Sequence, residues 1–251
     1  MPGGEPSAPG GVQCLEPRVK GNNLISYMEN RTAIVFGATG LVGTYLVEEL
    51  IINMKYTAVK VFSRRSLNIE HIKVIEHVVD VENVESYGNL IKGDDLFICL
   101  GTTIRKAGSV RRVEELDRIM PLNIASKALL NGVKRIAVVS SLGANSSSKS
   151  FYPRIKGLME EDILGLGFSR KVVVRPSMLL GKRNEFRLLE FLGKGVMKPF
   201  SFIFRGKLAI YKAVHGRVVA QAMITLLGID ENRTIYLSDE LPVLAATPRE
   251  A

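Results

Sequence analysis

The sequence predicts an α/β fold: a doubly wound parallel sheet with helices on both faces. Short β-branched runs alternate with segments of helical period from Arg31 to about Asp239. The runs are apolar at nearly every position, as strands covered on both faces must be. A glycine-spaced turn, Gly37 to Gly43, joins the first run to the first helical segment.

The elements follow in order. TAIVFG (32–37) is a strand, and LVGTYLVEELI (41–51) is a helix with apolar residues at 42, 46, 47, 50 and 51. AVKVFS (58–63) and KVIEHVVD (73–80) are the second and third strands, and a short helix lies near 84–91. DLFICLG (95–101) is a continuous apolar strand, and the long helix 113–132 closes at Asn131-Gly132. RIAVVSS (135–141) is a strand, 152–167 a helix, and KVVVRP (171–176) the sixth strand. After Pro176 the chain is expected to form a small, mostly helical C-terminal cap over about 177–230, with 235–239 returning as a late strand. Residues 1–30 are expected to be a disordered leader, 31–241 one domain, and 242–251 a flexible tail.

The chain of 251 residues is 46% apolar, which excludes a disordered chain. No uncharged stretch reaches the ~18–20 residues that a spanning helix needs, so no transmembrane segment is expected. Cys14 and Cys99 show neither disulfide nor metal-ligand spacing, so no metal site is expected and a reducing compartment is. Residues 1–30 lack an apolar h-region and the Arg-rich character of an organellar presequence, so the expected location is cytoplasmic.

The net charge is +9, and it is concentrated. Residues 170–217 hold 12 basic residues against two acidic ones, Glu185 and Glu190. Phe186, Phe191, Phe200, Phe202 and Phe204 interleave with them, the pattern of a nucleic-acid stacking surface. A solvated face with core aromatics is the simpler account. Nucleic acid is therefore not the expected partner; an anionic substrate, a membrane surface or an acidic partner suits the charge better.

The turn Gly37-Ala38-Thr39-Gly40-Leu41-Val42-Gly43 has the spacing of a dinucleotide-binding loop. Gly37 permits the tight turn, Gly40 a close approach of backbone to pyrophosphate, and Gly43 close helix–strand packing. The helix start adds free N–H groups and the positive end of its dipole. The fold expected is thus Rossmann-type. At the end of the second strand stand Ser63, Arg64 and Arg65, where NAD binders carry an acid that accepts the ribose hydroxyls. Two guanidinium groups there suit a 2′-phosphate, which favours NADP(H) over NAD(H).

Tyr152 and Lys156 are spaced i, i+4 on one helix face, with Pro153 in the first turn. An ammonium beside a phenol lowers its pKa from about 10, which makes the pair a general acid/base device. Ser140 and Ser141 end the fifth strand shortly before, where a hydroxyl can hydrogen-bond a reacting carbonyl oxygen. His215, in the cap, is expected to be structural or exposed.

These motifs resemble the short-chain dehydrogenase/reductase superfamily, in its extended or atypical branch, from about Thr32 to Asp239. SRR, CLGTT, VVSSLGAN, YxxxK-G and VVRPSMLLG together resemble the Tat-interacting-protein-like oxidoreductases, grouped with NmrA-like and epimerase-like proteins. The resemblance implies that Asp80, with Val81, contacts the adenine. It implies that Leu100, Gly101 and Thr102 lie along the cofactor, and that Arg175-Pro176 is the "RP" ending strand six beside it. Tyr152 and Lys156 match the catalytic pair. Ser141 fits the family's hydroxyl position better than Ser140. Leu142 and Gly143 replace the Asp-Glu pair of nucleotide-sugar dehydratases, and the cap is too short for a sugar-epimerase substrate domain.

Two functions follow. One is an NADP(H)-dependent oxidoreductase acting on a carbonyl or alcohol of a small substrate. The other is an NADPH-binding regulator that acts through a protein partner.

Overall fold

The computed structural model describes residues 30–181 and 210–246. Seven strands form one all-parallel sheet in the order β3-β2-β1-β4-β5-β6-β9. They are β1 (Arg31–Phe36), β2 (Tyr56–Ser63), β3 (Val74–Val78), β4 (Asp95–Ile98), β5 (Arg135–Val139), β6 (Arg170–Arg175) and β9 (Ile235–Leu237). All seven strands lie where the apolar runs placed them. A two-residue pair, β7 (Leu179–Leu180) with β8 (Val214–His215), stands apart from the sheet.

Alternate residues of each strand face opposite layers. Val35, Val61, Phe97, Ala137 and Val174 face α1 (Leu41–Ile52) and α7 (Gly216–Gly228). Phe36, Phe62, Ile98 and Val138 face the other side, against α2 (Val84–Tyr87), α5 (Met120–Leu130) and α6 (Phe151–Leu164). Both faces are buried, which explains the unbroken apolar runs. The chain winds outward from β1 to β3, then returns to start β4 on β1's other side. A crevice at the carboxyl ends of β1 and β4 follows from that reversal.

The long helix is less regular than its sequence suggests. After α3 (Ile104–Ala107), α4 (Val110–Glu114) runs into a π turn, Glu115–Ile119, before α5 continues to Leu130. It ends as expected, with Gly132 at φ +86°.

Residues 182–209, most of the segment expected to be the cap, lie outside the described residues, as do the leader's residues 1–29 and the tail from 247 onward. Within 177–230, α7 lies on α1 and the sheet. Arg217 pins it there, pairing with Glu48 and Glu49 and stacking over the Tyr45 ring, 4.7 Å away. His215 caps α7, its Nδ1 accepting the Arg217 N–H, and packs on Tyr45. Arg170 donates to the carbonyls of Leu226, Glu231 and Arg233, and Lys171 to those of Leu164 and Leu166. The described part of the basic segment therefore spends much of its charge inside the fold.

Candidate functional site

Among the described residues, the candidate cofactor and serine positions lie at the carboxyl ends of strands or just beyond them, and Tyr152 and Lys156 lie on α6. The glycine turn is close-packed at its backbone. Gly37 has φ +84°, and a Cβ on it would stand 2.5 Å from the Cys99 carbonyl oxygen. A Cβ on Gly43 would stand 2.2 Å from the Gly37 oxygen, a contact no side chain can make. The Gly40 N–H donates to the Gly37 carbonyl, and Thr44 ties the turn from beneath by donating to the Ala38 and Gly40 carbonyls. Helix α1 starts at Gly40 with no side-chain cap and no acidic residue in its first turn. Ala38 and Val42 are buried behind the turn, while Thr39 and Leu41 are half-buried at its rim. An uncapped helix start beside a turn whose three glycines carry no side chain fits the phosphates of a dinucleotide.

Beside it, Phe36 pairs with Phe62 in register, which places Ser63, Arg64 and Arg65 next to Gly37. Ser63 is buried and donates to the Arg65 carbonyl, shaping a turn that leaves both arginines exposed. Asp80, past β3, is exposed and accepts the Glu82 N–H, while Val81 is buried. Leu100 and Thr102 are half-buried and Gly101 is exposed, on the turn that leaves β4.

Lys156 follows Tyr152 by one turn of α6. Tyr152 is 38% exposed and Lys156 only 3%. The Lys156 Nζ donates to the Val139 carbonyl at 3.1 Å, which ties α6 to the end of β5. Burial pushes the Lys156 pKa down, and the Asp117 and Glu160 carboxylates oppose that shift. Arg175 holds Glu160 through its Nε, 3.0 and 3.1 Å from the two carboxylate oxygens. Ser140 is buried, and its Oγ finds no hydrogen-bond partner among the described residues. Ser141 is half-buried on the turn that follows. Pro176 is buried, and its carbonyl accepts the Leu142 N–H, fixing that turn.

Three contributors escaped the sequence reading. Gly157 lets the Asn145–Ser148 loop lie on α6, since a Cβ there would stand 2.1 Å from the Ser146 nitrogen. Glu160 and Asp117 bring two buried carboxylates to Lys156. Glu160 follows Lys156 by one helical turn, a spacing that could have signalled it. Nothing local marks Asp117.

A family model described as NAD(P)H-binding matches residues 37–165. Protein HTATIP2 of Rattus norvegicus is 36% identical over 171 residues, covering 66% of this chain and 70% of its own length. The chain belongs to the NAD(P)H-binding family. Another relative, Protein FMP52, mitochondrial, of Candida glabrata, is 37% identical over 161 residues, 63% of this chain and 68% of that protein. Among solved structures, the ADP-L-glycero-D-manno-heptose-6-epimerase of Helicobacter pylori superposes with a TM-score of 0.61 at 20% identity, covering 85% of this chain and 80% of that one. That likeness is one of fold: the Rossmann-like parallel sheet expected from the sequence.

The relatives correct one expectation. A cytoplasmic location rested on residues 1–30 having neither an h-region nor an Arg-rich presequence, yet the Candida glabrata relative is named mitochondrial. A basic presequence is only one route into an organelle.

Proposed function

We propose that the protein is an NADP(H)-dependent oxidoreductase acting on a carbonyl or alcohol of a small substrate. The observation that carries this reading is Lys156, buried one helical turn after a half-open Tyr152 and fixed to the end of β5, two strands over from the β1 that leads into the glycine turn. A bound nicotinamide supplies the hydride equivalent.

The chain's residues do the rest. The turn from Gly37 to Gly43 and the start of α1 hold the phosphates. Arg64 and Arg65, exposed beside Gly37, pair with a 2′-phosphate, which supports NADP(H) over NAD(H). Asp80 and Val81 border the adenine, Leu100, Gly101 and Thr102 the central part of the cofactor, and Arg175 with Pro176 shape the floor beside it. Tyr152 gives its phenolic proton to the substrate oxygen during reduction and takes it back during oxidation. The Lys156 ammonium lowers the cost of the phenolate. Ser141, the more open serine, orients the substrate oxygen, with Ser140 as the alternative hydroxyl for that role. The absence of an acidic pair beside Ser141 argues against dehydration chemistry. The name of the yeast relative supports a mitochondrial place of work.

The test is NADPH fluorescence followed against aldehydes, ketones and quinones. Consumption by the wild-type protein, lost in Tyr152→Phe while NADPH still binds, is the expected result. Tight NADPH binding with no consumption across the panel would instead leave a cofactor-dependent binding protein that acts through a partner.

A further inference from the structure

Most arginines among the described residues are held by the fold: Arg118, Arg135, Arg175 and Arg217, for example, each meet a carboxylate. Arg64 and Arg65 are not. Both are exposed, and among the described residues neither guanidinium has a hydrogen-bond or ion-pair partner. An acid does reach their loop, but it takes other donors. Glu76, half-buried on β3, accepts the Ser66 hydroxyl at 2.6 Å and the Leu67 N–H at 3.1 Å on Oε2, and the Ile69 N–H at 3.2 Å on Oε1. The Ser66 Oγ in turn accepts the Asn68 N–H, with Asn68 in the left-handed region at φ +53°. On the other side of the pair, the Ser63 hydroxyl donates to the Arg65 carbonyl, and the Ser63 carbonyl accepts the Val79 N–H. The two arginines thus stand on a short span tied at both ends. A surface connection can leave its N–H groups to water; one carboxylate that takes three donors selects a single loop shape.

We propose that Glu76 is a positioning residue for cofactor choice: by holding Ser66, Leu67 and Ile69 it presents Arg64 and Arg65 to the 2′-phosphate of NADP(H) without neutralising either. The inference deepens the oxidoreductase reading and rests on its assignment of NADP(H). With the loop already shaped, binding orders two side chains rather than a whole segment, and that saving in conformational entropy is what Glu76 contributes to affinity. NADH carries no 2′-phosphate and gains nothing from the loop. Glu76 therefore acts on the ratio of the two affinities although its carboxylate is turned to the chain's own donors.

The test compares wild type, Glu76→Ala and Ser66→Ala. NADPH and NADH affinities are measured by fluorescence titration, and exchange of the Leu67 and Ile69 amide protons is followed by NMR on the nucleotide-free proteins. In Glu76→Ala both amides are expected to lose protection, and NADPH to bind about tenfold more weakly while NADH stays within about twofold. Removing the negative charge would by itself favour an anion, so weaker NADPH binding reports the lost clamp. Ser66→Ala gives up one of the three donors and is expected to weaken NADPH about threefold, again sparing NADH. A merely structural carboxylate would lower the melting temperature and weaken both nucleotides together, and that result overturns the proposal. Unchanged protection of Leu67 and Ile69 in Glu76→Ala overturns it too. Should Glu76→Ala fail to fold, Ser66→Ala decides, and an unaltered NADPH preference there is fatal to the clamp. Wild-type protein that binds NADPH and NADH equally defeats the NADP(H) reading itself. A wild-type preference that survives intact in both variants defeats the part given to Glu76 alone.

Discussion

The Lys156 Nζ donates to the Val139 carbonyl across 3.1 Å, and with the Arg175–Glu160 pair this bond ties α6 to the sheet. β5 lies beside β4, and β4 beside β1, so this anchor stands two strands from the β1 that leads into the glycine turn. Lys156 is buried on this anchor, while Tyr152, one turn earlier on α6, is exposed.

The glycine turn makes the first prediction. Gly43→Ala forces a methyl group against the Gly37 carbonyl oxygen, with backbone on both sides. The turn must shift, at a cost of roughly 1–3 kcal/mol. Thermal unfolding is expected to show the loss, and NADPH affinity to fall with it. Unchanged stability and affinity would mean that α1 moves away freely.

Cofactor choice is the second. Arg64→Ala with Arg65→Ala removes the two exposed guanidinium groups beside Gly37. A loss of about 1.5–3 kcal/mol per charged hydrogen bond corresponds to at least tenfold weaker NADPH binding, with NADH affinity unchanged. Fluorescence titration with both nucleotides checks it. Parallel losses for NADPH and NADH would remove the 2′-phosphate assignment.

His77 supplies the third. Its ring stacks on Phe62 at 4.7 Å, and burial, with the Lys60 charge, holds its pKa below the ordinary histidine value. Above about pH 6.5 the imidazole is neutral in both states and costs nothing. As pH falls below that value the unfolded chain takes the proton first, so the stability contribution is lost. The melting temperature is expected to drop between pH 7.5 and 5.5, and less steeply in His77→Phe. Equal slopes in the two proteins would acquit His77.

Cys99 supplies the fourth. Burial pushes its thiol up to about 12, where the nucleophilic thiolate is scarce at neutral pH. Iodoacetamide is expected to label it in denaturant and to spare it in the native protein. Rapid native labelling would show that the β4 end opens.

The strands and the glycine turn were legible because their causes are local. A strand buried on both faces must be apolar throughout, and Gly43 must lack a Cβ because Gly37 is six residues away in the same turn. Tyr152 and Lys156 were legible for the same reason, one helical turn apart. What the sequence hid is tertiary. Arg175 looked like the end of a strand beside the cofactor, but its guanidinium reaches across to Glu160. Gly157 looked like a weak spot in a helix until the Asn145–Ser148 loop lay on it. Asp117 sits in what its neighbours make look like regular helix, and only the π turn faces it toward Thr102. The concentration of positive charge was plain, yet Arg170, Arg175 and Arg217 meet carbonyls and carboxylates of the fold itself.

The most direct measurement follows a label. NADPH deuterated at C4, on each face in turn, is incubated with a carbonyl that the protein consumes, and the product is read by mass spectrometry. Deuterium on the former carbonyl carbon in the wild-type product, and its loss in Tyr152→Phe at saturating NADPH, is the expected result. Label transfer undiminished by Tyr152→Phe would contradict the assignment of Tyr152 and Lys156 as the proton-transfer pair.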